Sequence, residues 1–255
     1  MGSGERVTSI DGAPAACAAP RGIAAVQAHG APALHGPGAG LRTLQVRRLG
    51  TVPYAEAAAL QKELVEQRRR GDIPDQLLLL EHPHVITLGV RVRDDHSHVI
   101  APAEQLAAEG IEVVESGRGG DVTYHGPGQL VGYPILELEE GRHDLHRYVR
   151  DIEEALIRAL AVFGVASGRI AGLTGVWVGD EKIAAIGVRV SRWITSHGFA
   201  LNLTTDLSRF GMIVPCGITD RGVTSLERLI GSFDRASVED VVVQQFASVF
   251  DRQLP

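Results

Sequence analysis

One cysteine stands in a sequence context that suits catalysis. Cys216 lies between Pro215 and Gly217, and these neighbours oppose a regular helix or a central strand, so the thiol is predicted to sit on a turn. A thiol presented in this way could reach a ligand and act as a nucleophile. An unperturbed thiol, with a pKa of about 8.5, needs a neighbouring cation or base to ionise at pH 7. A small buried hydrophobic residue is the alternative interpretation of this cysteine.

Lysine is scarce in this chain, which draws attention to Lys182. The chain has 25 basic residues, and only Lys62 and Lys182 are lysines. An amine can lose its proton near neutral pH when its surroundings lower its pKa, whereas a guanidinium cannot, so a retained lysine could be one that arginine cannot replace. Chance scarcity and a solvated turn lysine remain open alternatives.

The segment RGGDVTYHGPGQ, from Arg118 to Gln129, combines four glycines with several hydrogen-bonding side chains. Glycines let a backbone approach a ligand closely, so the pattern favours a binding loop, with a surface turn as the alternative. It matches neither the dinucleotide-binding nor the P-loop template. The scattered histidines and Cys216 lack the spacing of a metal site, so no metal is predicted.

A mixture of strands and helices must position these residues. Lys182 is predicted to begin a strand after a hairpin break at 179–181, and a glycine inside the strand 194–204 indicates a bulge or a close backbone approach. The order of elements predicts one α/β domain of the α+β type, with a mixed, largely antiparallel sheet flanked by helices. Strands are predicted at 42–49, 77–80, 84–88, 111–115, 133–138, 175–178, 182–190 and 194–204, and helices at 53–70, 102–109, 143–163, 224–230 and 237–252.

Composition limits the remaining possibilities. The chain has 255 residues and a net charge of -6, which fits one globular domain and argues against a nucleic-acid partner. No apolar run approaches the roughly 18 residues of a membrane span. Residues 1–41 are rich in Ala, Gly and Pro and are predicted to be a disordered extension of a folded domain at 42–255. Two cysteines, Cys17 and Cys216, make no disulfide framework, so a cytoplasmic location is expected.

Four separated motifs follow one another along the folded part of the chain. They read LLLLEHPHVITLG at 77–89, RGGDVTYHGPGQLVGYPI at 118–135, GVWVGDEKIAAIGVRVSRWITSHGFALNL at 175–203 and VPCGI at 214–218. In this order, and over about residues 42–255, they resemble the octanoyltransferases of lipoate biosynthesis, also called lipoyl(octanoyl) transferases. The resemblance implies a biotin/lipoate protein ligase-like fold for an octanoyltransferase catalytic domain.

The resemblance also implies a reaction and its partners. Octanoyl would arrive as a thioester on acyl carrier protein and leave as an amide on a lysine of lipoyl domains, in 2-oxoacid dehydrogenase complexes or the glycine cleavage H protein. Thioester to amide is downhill, so no cofactor is expected. Cys216 would form the acyl-thioester, and Lys182 would lower its pKa and move protons. The acyl site would be lined by Arg118, Gly119, Gly120, Asp121, Val122, Thr123, Tyr124, His125, Ala185, Ile186, Gly187, Gly198, Phe199 and Ala200.

Two other functions are compatible with the same resemblance. An ATP-dependent lipoate or biotin protein ligase shares the fold, but such ligases typically have a longer glycine-rich loop and need no nucleophilic cysteine, so Cys216 favours the transferase. A non-catalytic protein that binds lipoyl domains or acyl carrier protein is the second alternative.

Docking of acidic partners on an acidic chain would need a local basic patch. Both partners of the transferase are commonly acidic, and long-range attraction between unlike surfaces speeds association. Three arginine clusters are candidates, with solvated faces as the alternative interpretation: Arg68 to Arg70, Arg91 with Arg93, and Arg147 with Arg150.

Overall fold

The structure is a computed structural model that describes residues 42–92, 97–214 and 221–255. Some sequence predictions fall outside these residues. The predicted disordered extension at 1–41, Arg93, and Cys216 with its neighbours Pro215 and Gly217 are among them. Lys182 and all of the predicted acyl-site residues lie within the described part of the chain.

The described strands form two sheets, one of seven strands and one of three. The large sheet has the order β10-β1-β2-β6-β9-β8-β7, in which β1 runs parallel to β10 and β2 and the other pairs are antiparallel. The small sheet has the order β4-β3-β5. The predicted α+β fold with a largely antiparallel mixed sheet is confirmed, although a second sheet was not predicted. The strands are β1 Arg42–Thr51, β2 Asp75–Glu81, β3 Val85–Leu88, β4 Glu112–Glu115, β5 Val122–His125, β6 Gln129–Ile135, β7 Val176–Val178, β8 Glu181–Ser191, β9 Ile194–Asn202 and β10 Arg252–Gln253.

The helices begin and end where local chemistry favours it. The longest begins after Asp144, whose carboxylate accepts the first backbone N–H groups, and the first ends at Gly71, which has a φ of 79°. None of the helices in the described ranges is long and apolar enough to cross a membrane. The helices are α1 Tyr54–Arg70, α2 Ala103–Ala108, α3 Leu145–Val162, α4 Leu226–Ile230 and α5 Arg235–Val249.

The run of four leucines in β2 explains how the large sheet is covered on both faces. Leu77 and Leu79 pack in one core with α3 and α5, while Leu78 and Leu80 pack in a second core with α1. All four side chains are at most 2% exposed. Burying each one stabilises the fold by about 2 kcal/mol relative to leaving it in water. An uninterrupted apolar strand is therefore the signature of a sheet sandwiched between helices.

The glycine-rich stretch is more regular than its sequence indicates. A binding loop was predicted at 118–129, but residues 122–125 form β5 and β6 begins at Gln129. The alternation of Val122 and Tyr124 with polar residues is a strand pattern, which the surrounding glycines obscured. β5 pairs with β3 in the small sheet, and β6 lies between β2 and β9 in the large one. The segment thus links the two sheets.

Candidate active site

A cavity of about 400 Å³ is lined by the segment 118–123, by β8 and β9, and by the first turns of α3. Lys182 lines it as well. Of the fourteen residues predicted for the acyl site, Tyr124 does not line the cavity. Its side chain is fully buried, and its hydroxyl lies 2.7 Å from Nδ1 of His84. The thirteen lining residues are Arg118, Gly119, Gly120, Asp121, Val122, Thr123, His125, Ala185, Ile186, Gly187, Gly198, Phe199 and Ala200.

Glycines allow the segment 118–121 to lie directly on β8. The Gly119 N–H donates to the Val188 carbonyl at 2.9 Å. A Cβ atom at Gly187 would lie 2.9 Å from the Gly119 oxygen, and one at Gly89 would lie 2.3 Å from the Gly120 oxygen. Real Cβ atoms do not approach backbone oxygens so closely, so larger residues at these positions would push the segment out of the cavity wall.

Small residues on the paired strands shape a narrow part of the cavity. Ala185 lies opposite Ala200, and Gly187 lies opposite Gly198. Side chains opposite each other in an antiparallel pair share one face of the sheet, so at these four positions that face carries only methyl groups and hydrogens. A Cβ atom at Gly198 would lie 2.1 Å from the carbonyl oxygen of the neighbouring strand β6, which is the close approach predicted inside the strand 194–204. The surface suits an unbranched alkyl chain.

Arg118 brings a positive charge into the cavity wall. Its side chain donates to the Thr87 carbonyl at 2.7 Å, to the Thr87 hydroxyl and to the Gly119 carbonyl at 3.1 Å. The residue is 8% exposed. Fixed in this way, the guanidinium can face a substrate oxygen without the entropic cost of ordering a free side chain.

Two buried histidines of the cavity, His125 and His197, are neutral at physiological pH. Burial, followed by the charges of His82 and Arg118, lowers the pKa of His125 to about 3. Burial, followed by the charge of Arg118, lowers the pKa of His197 to about 4. Removing an imidazolium from water is costly, and a nearby guanidinium adds repulsion. These two rings therefore act as neutral hydrogen-bonding groups, and neither is an imidazolium that could serve as a general acid at pH 7.

Lys182 is held by its main chain to a short strap, residues 221–224. Its N–H donates to the Gly222 carbonyl at 2.9 Å, and the Thr224 N–H donates to its carbonyl at 3.0 Å. The Lys182 Nζ atom lies 4.8 Å from the centre of the Trp177 ring, a cation–π contact. The strap therefore sits beside the base of the lysine side chain at the cavity.

The described residues on either side of 215–220, Val214 and Arg221, each contact other parts of the fold. The Val214 N–H donates to the His98 carbonyl at 2.8 Å. On the other side, Arg221 lines the cavity and its guanidinium lies 5.9 Å from the Trp177 ring centre. Cys216 itself lies outside the described residues.

Several lining residues were not predicted from the sequence, among them Trp177, Asn202 and Arg221. Asn202 had a usable signal, because it is a polar residue at the end of the apolar stretch GFAL. Trp177 resembled ordinary core in a short apolar strand, and Arg221 reaches the cavity only because the chain returns to β8. Within the described ranges, no three His, Cys, Asp or Glu side chains gather as metal ligands.

Comparison with known proteins identifies the architecture and the family. Residues 53–247 match the model of the lipoyl protein ligase A/B catalytic domain. The chain is 57% identical over 209 residues to the octanoyltransferase of Rubrobacter xylanophilus, covering 81% of this chain and 93% of that protein. It is 50% identical over 220 residues to the octanoyltransferase of Myxococcus xanthus, covering 84% of this chain and 61% of that longer protein. A crystal structure of lipoate-protein ligase A bound with ATP is similar in fold, with a TM-score of 0.69, 16% identity, and coverage of 84% of this chain and 87% of that one.

The pKa of about 3 for His125 predicts acid sensitivity with a defined sign. A histidine in the unfolded chain titrates near pH 6.5, whereas native His125 titrates near pH 3. Between these two pH values the unfolded chain binds a proton and native His125 does not, so the free energy of unfolding should fall as pH falls. Above pH 6.5 this residue should contribute no pH dependence. Ring ¹⁵N shifts should show neutral His125 at pH 5, and urea midpoints should decline less steeply below pH 6.5 in His125→Gln. A native ring that protonates above pH 5 would contradict the burial argument.

Proposed function

This chain belongs to the octanoyltransferase family of acyltransferases, and we propose that it moves octanoyl from acyl carrier protein to a lysine of lipoyl domains through an acyl-thioester on Cys216. The acceptors would be lipoyl domains of 2-oxoacid dehydrogenase complexes or the glycine cleavage H protein. Lys182 would carry the protons, and the small residues of β8 and β9 with the segment 118–125 would hold the alkyl chain.

The position of Lys182 is the observation that carries this proposal. The lysine lines the cavity and is bonded to the strap that follows the segment bearing Cys216. On the other side, Cys216 is two residues from Val214, which limits their Cα separation to about 8 Å. An ammonium next to a thiol favours the thiolate by charge attraction, which would supply the activation that an isolated cysteine lacks.

In the first half-reaction the Cys216 thiolate attacks the octanoyl carbonyl of the donor thioester. The bond from the carbonyl carbon to the carrier sulfur breaks as the new bond to Cys216 forms. The departing carrier thiolate takes a proton from the Lys182 ammonium and leaves as a thiol. Lys182 is then neutral, and the enzyme carries one octanoyl group as a thioester.

In the second half-reaction the neutral amine of the acceptor lysine attacks the Cys216 thioester. Its extra proton passes to the neutral Lys182 amine, the amide forms, and Cys216 leaves as a thiolate. The thiolate–ammonium pair is thereby restored without a net change of protons on the enzyme. A general base in this position contributes about 10²- to 10⁴-fold to such steps. Because an amide is more stable than a thioester, the sequence of steps needs no ATP.

Incubation with octanoyl-acyl carrier protein, without ATP, tests the covalent step. We expect intact mass spectrometry to show one octanoyl adduct that hydroxylamine removes, since it cleaves thioesters. The adduct should be lost in Cys216→Ala and retained in Cys17→Ala, which removes the only other cysteine. An adduct that survives Cys216→Ala would exclude this residue as the nucleophile, and acyl transfer that requires ATP would favour a ligase.

The three arginine clusters that were candidates for docking differ in whether carboxylates compensate their charges. Arg68, Arg69 and Arg70 pair with Asp75, Glu66 and Asp72, each within 2.7 Å. Arg147 and Arg150 pair with Asp151 and Glu153. Their charges are therefore largely compensated. Arg91 is exposed at the rim of the cavity, and none of the described carboxylates pairs with it. We infer that Arg91 attracts the acidic donor.

Charge reversal at Arg91 tests this docking site. At low salt we expect Arg91→Glu to lower kcat/KM for octanoyl-acyl carrier protein by about tenfold, because it turns an attraction between unlike charges into a repulsion. The difference should shrink in about 0.5 M salt, where the Debye length is only a few ångströms. Arg70→Glu, at an exposed arginine already paired with Asp72, is the matched control and should change little. Equal effects of the two substitutions would argue against docking at Arg91.

A further inference from the structure

A buried chain of hydrogen bonds runs from the cavity cation Arg118 to the strap beside Lys182. Arg118 donates to the Thr87 hydroxyl at 2.8 Å, which lies 3.4 Å from Nε2 of His125. The His125 Nδ1 atom lies 2.8 Å from the Gln129 carbonyl oxygen, and Gln129 Nε2 donates to Asn202 Oδ1 at 3.0 Å. The chain therefore connects side chains from four strands and the segment before β5.

The last link reaches the main chain of the strap. Asn202 Nδ2 donates to the Thr224 carbonyl at 3.0 Å, and the Thr224 N–H donates to the Lys182 carbonyl at 3.0 Å. Asn202 and Thr224 are 4% and 0% exposed, so water does not replace these bonds. The position of Thr224 is thus set from two sides, by β8 through Lys182 and by β9 through Asn202.

Two backbone carbonyls determine the direction of every bond in this chain. Gln129 Nε2 also donates to the Tyr124 carbonyl, and Asn202 Nδ2 donates to the Thr224 carbonyl; a carbonyl can only accept, so both amides have one possible orientation. The Gln129 oxygen must then accept from His125 Nδ1–H, and His125 Nε2 accepts from the Thr87 hydroxyl. The neutral ring that this pattern requires agrees with the lowered pKa of His125.

We propose that Gln129 and Asn202 are positioning residues for the proposed acyl transfer, because they hold the strap 221–224 against β8 next to Lys182. This inference rests on the proposed function, because it concerns the same thiol. A segment of six residues, 215–220, connects Val214 to the strap. Because the strap continues directly from the segment that bears Cys216, we expect a displaced strap to weaken the charge attraction between the Lys182 ammonium and the Cys216 thiolate, which falls with distance.

A rigid strap also explains why carboxamides occupy these buried positions. A leucine of similar volume could fill the space of Asn202 but could not donate to the Thr224 carbonyl. That carbonyl would be left without its side-chain donor in a dry environment, which favours movement of the strap toward another donor or water. If Asn202 had a purely structural role, its replacement would lower stability without altering the pKa of the Cys216 thiol. A positioning role predicts that this pKa changes as well.

The pH dependence of Cys216 alkylation measures that property directly. In Cys17→Ala protein, the rate of reaction with iodoacetamide should rise with pH around the thiol pKa. We expect Asn202→Leu to move this midpoint upward by about one pH unit, which lowers the thiolate fraction, and therefore the rate below the midpoint, by about tenfold. Gln129→Leu should move it in the same direction, and the double variant should move it little further because both act through one chain.

Thr195→Val is the matched control. Thr195 lies on the same strand as Asn202, is fully buried, and its hydroxyl bonds the Pro134 carbonyl at 2.7 Å and the Leu136 N–H at 2.9 Å. It does not line the cavity. Its loss should lower Tm by an amount similar to that of Asn202→Leu, and leave the alkylation midpoint unchanged.

The outcomes separate this inference from the proposed function. If the wild-type enzyme forms no octanoyl adduct on Cys216, the proposed function fails independently of Asn202. If the adduct forms and the midpoint of Asn202→Leu equals that of Thr195→Val, Asn202 has only a structural role and the inference is overturned. Should Asn202→Leu not fold, Asn202→Ser, which is smaller and polar but cannot reach the Thr224 carbonyl, should show the same upward shift.

Discussion

Two main-chain hydrogen bonds between Lys182 and the strap 221–224 are the constraint on which the site depends. They tie the one lysine of the cavity to the chain that follows the Cys216 segment. A side chain alone could not do this, because a lysine has several freely rotating bonds, and ordering them costs about 2 kcal/mol. The strand β8 supplies the rigidity, since it pairs with β9 over eight residue pairs from Ala184 to Ser191. The sheet therefore fixes the main-chain position from which the Lys182 side chain extends.

The electrostatics of the cavity follow from burial rather than from many charges. Arg118 and Lys182 contribute positive charge, while His125 and His197 stay neutral because desolvation lowers their pKa values to about 3 and about 4. A cationic, partly dry cavity favours a thiolate and a developing oxyanion. The neutral imidazoles of His125 and His197 join the wall as hydrogen-bonding groups, so neither is suited to move protons near pH 7.

Sequence patterns predicted most of the fold, and the resemblance to the octanoyltransferases predicted many of the residues that line the cavity. The leucines of β2 and the periodicity of α3 are strong signals because each reports burial on a regular element. Gly187 and Gly198 were predicted to line the acyl site because the chain resembles the octanoyltransferases. The structure shows why glycine suits both positions: a Cβ atom at either one would contact a backbone oxygen. Residues 122–125 were predicted as loop because nearby glycines obscured a short alternating strand.

Other features could not be predicted because they depend on the return of distant chain segments. The strap lies about forty positions after Lys182, and no local pattern indicates that Thr224 will bond to it. Tyr124 was predicted in the acyl site with its neighbours, but strand alternation turns its side chain toward the core beside Phe210. The ion pair between Arg68 and Glu137 also joins residues whose proximity only the fold creates, since they lie 69 positions apart in the chain.

The second half-reaction tests the central claim, that Lys182 handles protons and does not merely provide charge. Enzyme preloaded with octanoyl would be mixed with a lipoyl domain, and the single-turnover rate of amide formation measured. Lys182→Arg keeps the positive charge but cannot accept a proton near neutral pH, so we expect transfer to slow by about 100-fold or more. Lys62→Arg, at the other lysine of the chain, should transfer at the wild-type rate. Near-normal transfer by Lys182→Arg would contradict the account.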